Sequence, residues 1–388
     1  MSQLVQTSDR NKIKKLSRVS RGLLLFCLFC LSALSLDSRG DDKILLVAGG
    51  DQKAVELPAM EAALHEPFGT AFDPANDLWI VEMASGNRLL KVNRDGSLSH
   101  LAGRSEKGFR GDGGPALDAQ FNGPHNLAIR PDGKILIADT WNGVIRQVDP
   151  QSRLVESLSG FSVPIDKAKN SGAYCITMDF SGNFLFIANL QQVLRLDLLS
   201  GKSIVIAGNG SKGVPTNGAL AVNAPLSDPR AVAPDRLGNV YILERSGNAL
   251  RVVKQDGTIE TVVNESGKAG TARDAGKHRN SPTGSEIAEV EPALGAMMRG
   301  PKHLCVDLMN RVIIADAENH LIRRYDPDDR TVRRIAGTGE SGREGLGGSP
   351  LKCMLARPHG VTIHSKTGEL YITDSYNNRI LRIASEQK

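Results

Sequence analysis

A chain of 388 residues with 40% apolar and 23% charged residues can bury an ordinary core, and all-β rings run long as single units, so length alone leaves the domain count open. The formal charge of +5 resides entirely in the first 35 residues, where Arg10, Lys12, Lys14, Lys15, Arg18 and Arg21 face only Asp9; beyond them 42 basic and 42 acidic residues balance. That balance excludes the basic footprint of a nucleic-acid or acidic-lipid binder.

The six bases precede fifteen residues from Gly22 to Leu36, mostly apolar, and then the polar "DSRGDD". This is the layout of a secretory signal peptide over 1–35, cut after Ser35 with Ala33 as the other small residue, and followed by a short linker over 36–42. Fifteen residues fall short of the roughly 20 that cross a bilayer, so no stable membrane span is expected once the leader is cut. Cys27 and Cys30 each follow a phenylalanine, against a lipoprotein signal. The expected location is periplasmic or extracellular. Only Cys175, Cys305 and Cys353 lie beyond the leader, too few for a disulfide-stapled framework.

From Glu66 the chain repeats itself in six copies, whose second apolar runs end at Glu82, Asp139, Asn189, Glu244, Asp316 and Asp374, spaced by 57, 50, 55, 72 and 58 residues. Each copy holds a short apolar run, a turn such as "PDG", "SGN" or "LGN", a second run, a polar turn and a third run. The turn residues tolerate the tight geometry between antiparallel strands. A fourth run follows in most copies, as in "RLVESLSG" and "TVRRIAG", which makes each copy a four-stranded propeller blade. The sixth copy stops at Lys388 without a fourth run, whereas "KILLVAG", Lys43–Gly49, matches that run and precedes the first full copy. The expectation is an all-β, six-bladed β-propeller over 43–388, its ring closed by the N-terminal strand pairing with the last blade. Such closure leaves no long edge open.

Between blades recur "LPAMEAALHEP", "GPALDAQFNGP", "LAVNAPLSDP", "EPALGAMMRGP" and "SPLKCMLARP". Small residues and then one large apolar residue at a fixed offset before the proline predict a short helical turn that tucks a side chain between blades. "GFRGDGGPA" lacks the Lys-Ser/Thr ending of a phosphate loop. The stretch 264–292 is a polar, glycine-rich insertion between blades four and five that could cover the rim, with His278 inside it.

These words resemble the NHL-repeat family over nearly all of the chain beyond the leader. The resemblance rests on the proline before the first strand, the second strands "LYITD", "ILIAD" and "VIIAD", the Asn of "DTWN", "DAEN" and "DSYN", and the closing "AG". It implies a six-bladed propeller in many cases, and no particular reaction.

The residue after each blade's proline begins the innermost strand and so lies at one mouth of the central channel. Blade by blade it is Phe68, His125, Tyr174, Arg230, Lys302 and His359, with nothing aliphatic among them. A purely structural position there favours small or branched apolar residues. Asp139 and Asp374 could orient His125 and His359, but the same acid recurs in blades without histidine, which favours a role in the turn backbone. The rim is similar to that of the peptidyl-hydroxyglycine amidating lyases, in which three such histidines on alternate blades bind a catalytic zinc. Two positions carry over, His125 and His359; the third is Arg230, whose guanidinium has no lone pair to give. His303 is expected on the other side of its strand by alternation.

The leading reading is an exported monomeric binding module for a small anionic ligand or a protein or peptide partner at the channel mouth. The alternative is a lyase or hydrolase at the same mouth, with zinc or calcium where His125 and His359 recruit a third donor.

Overall fold

A computed structural model describes residues 42–50, 58–270 and 288–384; the leader, its cut site and His278 lie outside them. The described residues form six antiparallel sheets in a ring, one for each repeat copy. The inner strands are Pro67–Phe72, Pro124–Ile129, Cys175–Met178, Pro229–Pro234, His303–Val306 and Gly360–Ile363. The second strands carry the aliphatic runs, as in Ile135–Asp139 and Val312–Asp316, buried along their whole length. Buried on both faces, such strands read as continuous apolar runs rather than as alternation.

Lys43–Ala48 pairs with Arg379–Ala384, from Lys43 opposite Ala384 to Leu46 opposite Leu381 and then, across a one-residue register shift, Ala48 opposite Ile380. It therefore supplies the fourth strand of the last sheet, as expected. Ile44 is fully buried among Ile313, Leu355 and Leu381 of the last two blades, and burying one such side chain is worth about 1.5–3 kcal/mol. The backbone of Ile44 also bonds Gly347 and Gly348 in the loop before the last blade, tying this strand on its outer side.

The linker words fold as read. Single 3₁₀ turns at Ala116–Asp118, Ala221–Asn223, Ala293–Gly295 and Pro350–Lys352 each bury their first residue. Three residues before each proline, Leu64, Phe121, Leu226, Met298 and Leu355 are buried between blades. Two linkers do more than the pattern predicts. Gly114–Pro115 and Val290–Pro292 each add a short fifth strand outside the fourth. Blade three is preceded by the helix Ile165–Ser171, whose following Ala173 carbonyl accepts the Thr140 hydroxyl at 2.6 Å. The closing "AG" has a backbone reason: Gly49, Gly103 and Gly337 sit at φ 89°, 86° and 94°, where a Cβ would come within 2.1–2.3 Å of the carbonyl oxygens of Asn378, Asn87 and His320 in the turns before the third strands.

Candidate functional site

The acid that ends the second strand in five of the six blades, with Asn189 in its place in blade three, builds the rim. In five blades it accepts the backbone N–H two residues before the proline: His65 to Glu82, Asn122 to Asp139, Ser227 to Glu244, Arg299 to Asp316 and Ala356 to Asp374, all at 2.6–2.8 Å. In the "DxxN" blades the Asn side chain bonds the same acid at 2.7–2.9 Å. Arginines of the third strand complete the set, with Arg379 Nε 2.7 Å from Asp374 and Arg251 Nη2 2.7 Å from Glu244. Burial is the largest influence on these carboxyls and pushes Asp139 and Asp316 up to about 7. The acids hold the linker against the blade, and none is aimed at an imidazole.

The linker then enters the inner strand through a left-handed residue before the proline: Glu66, Gly123, Asp228, Gly300 and Arg357 have φ between 44° and 61°. At Gly123 a Cβ would lie 2.3 Å from the Trp141 ring. In blades one, two and four the sheet register slips across the residue after the proline. That slip makes Phe68, His125 and Arg230 extra residues, lifted out of the ladder at the mouth.

The six rim residues named from the sequence come together there. Phe68 bridges the two histidines, 4.2 Å ring to ring from His359 and 5.2 Å from His125. His125 meets Tyr174 edge-on at 4.7 Å, and the Arg230 guanidinium lies over the Tyr174 ring at 4.4 Å. The Tyr174 hydroxyl donates to the Lys169 carbonyl, which fixes the ring. Lys302 Nζ is 3.5 Å from Glu318, which also pairs with Arg357.

The rim is nearly closed to water: His125 and His359 are 7% exposed and Arg230 6%. Burial first, and the charges of Arg230 and Lys302 after it, hold both histidines well below their ordinary range. His125 Nδ1–H donates to the Gly123 carbonyl at 2.7 Å, which leaves Nε2 as an acceptor. Burial and the nearby Arg230 bring Lys302 down to about 8. Arg230 keeps its charge, with Nε and Nη1 buried and without a hydrogen-bond partner. The mouth is thus cationic on blades four and five, and aromatic or neutral on the other four.

This arrangement does not complete a zinc site. Phe68 contacts both imidazoles, the third position holds a guanidinium, and among the described residues no three His, Cys, Asp or Glu side chains converge.

His303 departs from the expectation. It does not turn away: its Nε2 is 3.1 Å from Asn126 Nδ2 on the opposite blade, so the two side chains meet across the channel just below the rim. Pairing in that blade starts at His303, after the irregular rim residue, so simple alternation from Lys302 does not apply. At the same level the other four blades have Gly69, Cys175, Ala231 and Gly360, which leaves room for the bridge.

Sequence reasoning missed an outer tier: Trp141, Glu318 and Tyr376, at the third position of "DTWN", "DAEN" and "DSYN". Trp141 and Tyr376 lie 5.6 and 5.8 Å from His125 and His359. The variable position of a word otherwise kept for structure was the signal.

The Teneurin NHL domain model matches residues 43–149 and 167–387. NHL repeat-containing protein 2 of Gallus gallus is 23% identical over 356 residues, covering 83% of this chain and 47% of that protein. Teneurin-1 of Homo sapiens is 26% identical over 238 residues, covering 58% of this chain and 8% of its own length. The chain thus spans about half the length, or less, of these relatives. An auxiliary nutrient binding protein of Bacteroides ovatus shares the fold with a TM-score of 0.63, at 14% identity, covering 90% of this chain and 78% of that one. Matched by that family model over most of its length, the chain belongs to the Teneurin NHL domain family.

Proposed function

We propose that the chain is an exported binding module whose channel mouth takes up the carboxylate of a small molecule or of a peptide end. The observation that carries this reading is Arg230, a buried guanidinium with two nitrogens lacking partners. Leaving such donors unmet costs about 1–3 kcal/mol or more, and an anion recovers that cost through charge-assisted hydrogen bonds. Lys302 supplies a second charge. His125 and His359 are neutral and offer further hydrogen bonds, while Phe68 and Tyr174 give flat apolar surface to whatever carries the anion. The fold supports the coarser role, since propellers of this kind present binding platforms. The leader-like first 35 residues support export.

Benzoate is a suitable probe because it joins a carboxylate to a flat ring. Calorimetric titration should show saturable binding to the full chain and none to a double variant carrying Arg230→Ala and Lys302→Ala. Equal affinity in the two proteins would remove the proposal.

A further inference from the structure

Beneath the Asn126–His303 bridge the channel widens into a cavity of about 300 Å³. Inner strands of all six blades contribute to its wall, among them Phe72, Met178, Val306 and Ile363. None of its lining residues is Asp, Glu, Lys or Arg. The hydroxyls of Thr70, Thr177 and Thr362 are engaged with one another or with strand carbonyls, so they add little polarity. Phe180 stands at the open end with 57% of its surface exposed. The volume is at the small end of known ligand pockets, and the wall is mostly apolar with a few convergent polar groups.

The polar groups are at the closed end, and their protons do not balance. Val361 N–H points at Nδ1 of His303 at 3.3 Å, and the Asn126 side-chain amide points at Nε2 at 3.1 Å. The Asn126 oxygen is already used by Ile176 N–H at 2.9 Å, which fixes which end of the amide faces the histidine. A neutral imidazole has one accepting nitrogen and one N–H, yet both of its nitrogens face donors. In either tautomer two N–H groups, the ring's own and the donor that faces it, have no protein acceptor along these contacts. Protonating the ring would only add a donor. His303 is nonetheless partly open and lines the cavity, so its free surface faces it.

We propose that this lower compartment binds a small neutral molecule with an apolar body and one carbonyl-type acceptor, whose oxygen takes up the N–H groups left over at the Asn126–His303 bridge. The site is distinct from the rim in chemistry as well as position. The rim presents cations, and the compartment presents no charge and excess donors.

Acetophenone, with ethylbenzene as its counterpart lacking the oxygen, tests this by ligand-observed NMR titration of the full chain. Acetophenone should saturate at one site, bind roughly three- to tenfold more tightly than ethylbenzene, and remain bound when benzoate is in excess. In the double variant Asn126→Leu, His303→Phe, which removes both side-chain donors of the bridge, the two probes should bind alike. A second measurement needs no variant: acetophenone should slow modification of Cys305, which is partly exposed within the cavity wall, by methyl methanethiosulfonate. Cys175 and Cys353 are fully buried and serve as internal controls. Absence of saturable acetophenone binding, a preference that survives the double variant, or Cys305 modification unaffected by the probe would each overturn the proposal.

Discussion

At the residue scale, the balance between burial and partners decides what each titratable group contributes. His303 is pushed down to about 4, chiefly by burial and then by the charge of Arg230. Its folded pKa lies below the ordinary 6.5, so the unfolded chain binds a proton that the folded chain refuses. Stability from this group is present above pH 6.5 and is lost as pH falls toward 4. Glutamine at position 303 cannot titrate. We therefore expect His303→Gln to flatten the stability profile between pH 6.5 and 4.5 in urea unfolding, with a difference of up to about 3 kcal/mol for a shift of this size. A parallel profile for the two proteins would mean that His303 is not held neutral. The rim histidines were legible in the sequence because both follow a proline at equivalent places in the repeat. The bridge was not, because the register slip that brings Asn126 and His303 face to face is a property of paired strands and leaves no mark in one strand's spacing.

At the element scale, the repeated words translate almost one to one into strands, turns and wedges. The offset of three residues between Leu64, Phe121, Leu226, Met298 or Leu355 and the following proline was readable because packing between blades demands the same side chain each time. The added strands Gly114–Pro115 and Val290–Pro292 were not, since two or three extended residues carry no periodicity of their own. Closure is the most consequential element. Lys43–Ala48 gives the last sheet its fourth strand and buries Ile44 and Ala48 completely. Without it the strand Arg379–Ala384 becomes an exposed edge, with bare apolar neighbours and free backbone groups. Deleting Lys43–Gly50 should therefore prevent accumulation of soluble folded monomer, as read by size-exclusion chromatography and circular dichroism. A well-folded monomer from that deletion would contradict the role assigned to this strand.

At the scale of the whole molecule, the ring converts distance in sequence into proximity. His125 and His359 are 234 residues apart, yet Phe68 touches both, because the first blade lies between the second and the sixth. The same closure sets Asn126 of blade two against His303 of blade five across the axis. The axis is thus divided into an upper mouth with two cations and a lower compartment with none. The blade count and closure could be read from the repeat, and so could the list of rim residues. The division of the channel emerges only when opposite blades are placed face to face.

The claim on which the functional account depends is that six blades converge their rim side chains on an anion site centred on Arg230. A crystal of the full chain soaked with 4-bromobenzoate tests it most directly, because the bromine can be located by its anomalous scattering. The account predicts one bromine peak at the mouth beside Phe68 and Tyr174, with the carboxylate hydrogen-bonded to Arg230. A peak confined to the lower compartment or to the outer surface, with the Arg230 nitrogens still unpartnered, would contradict it.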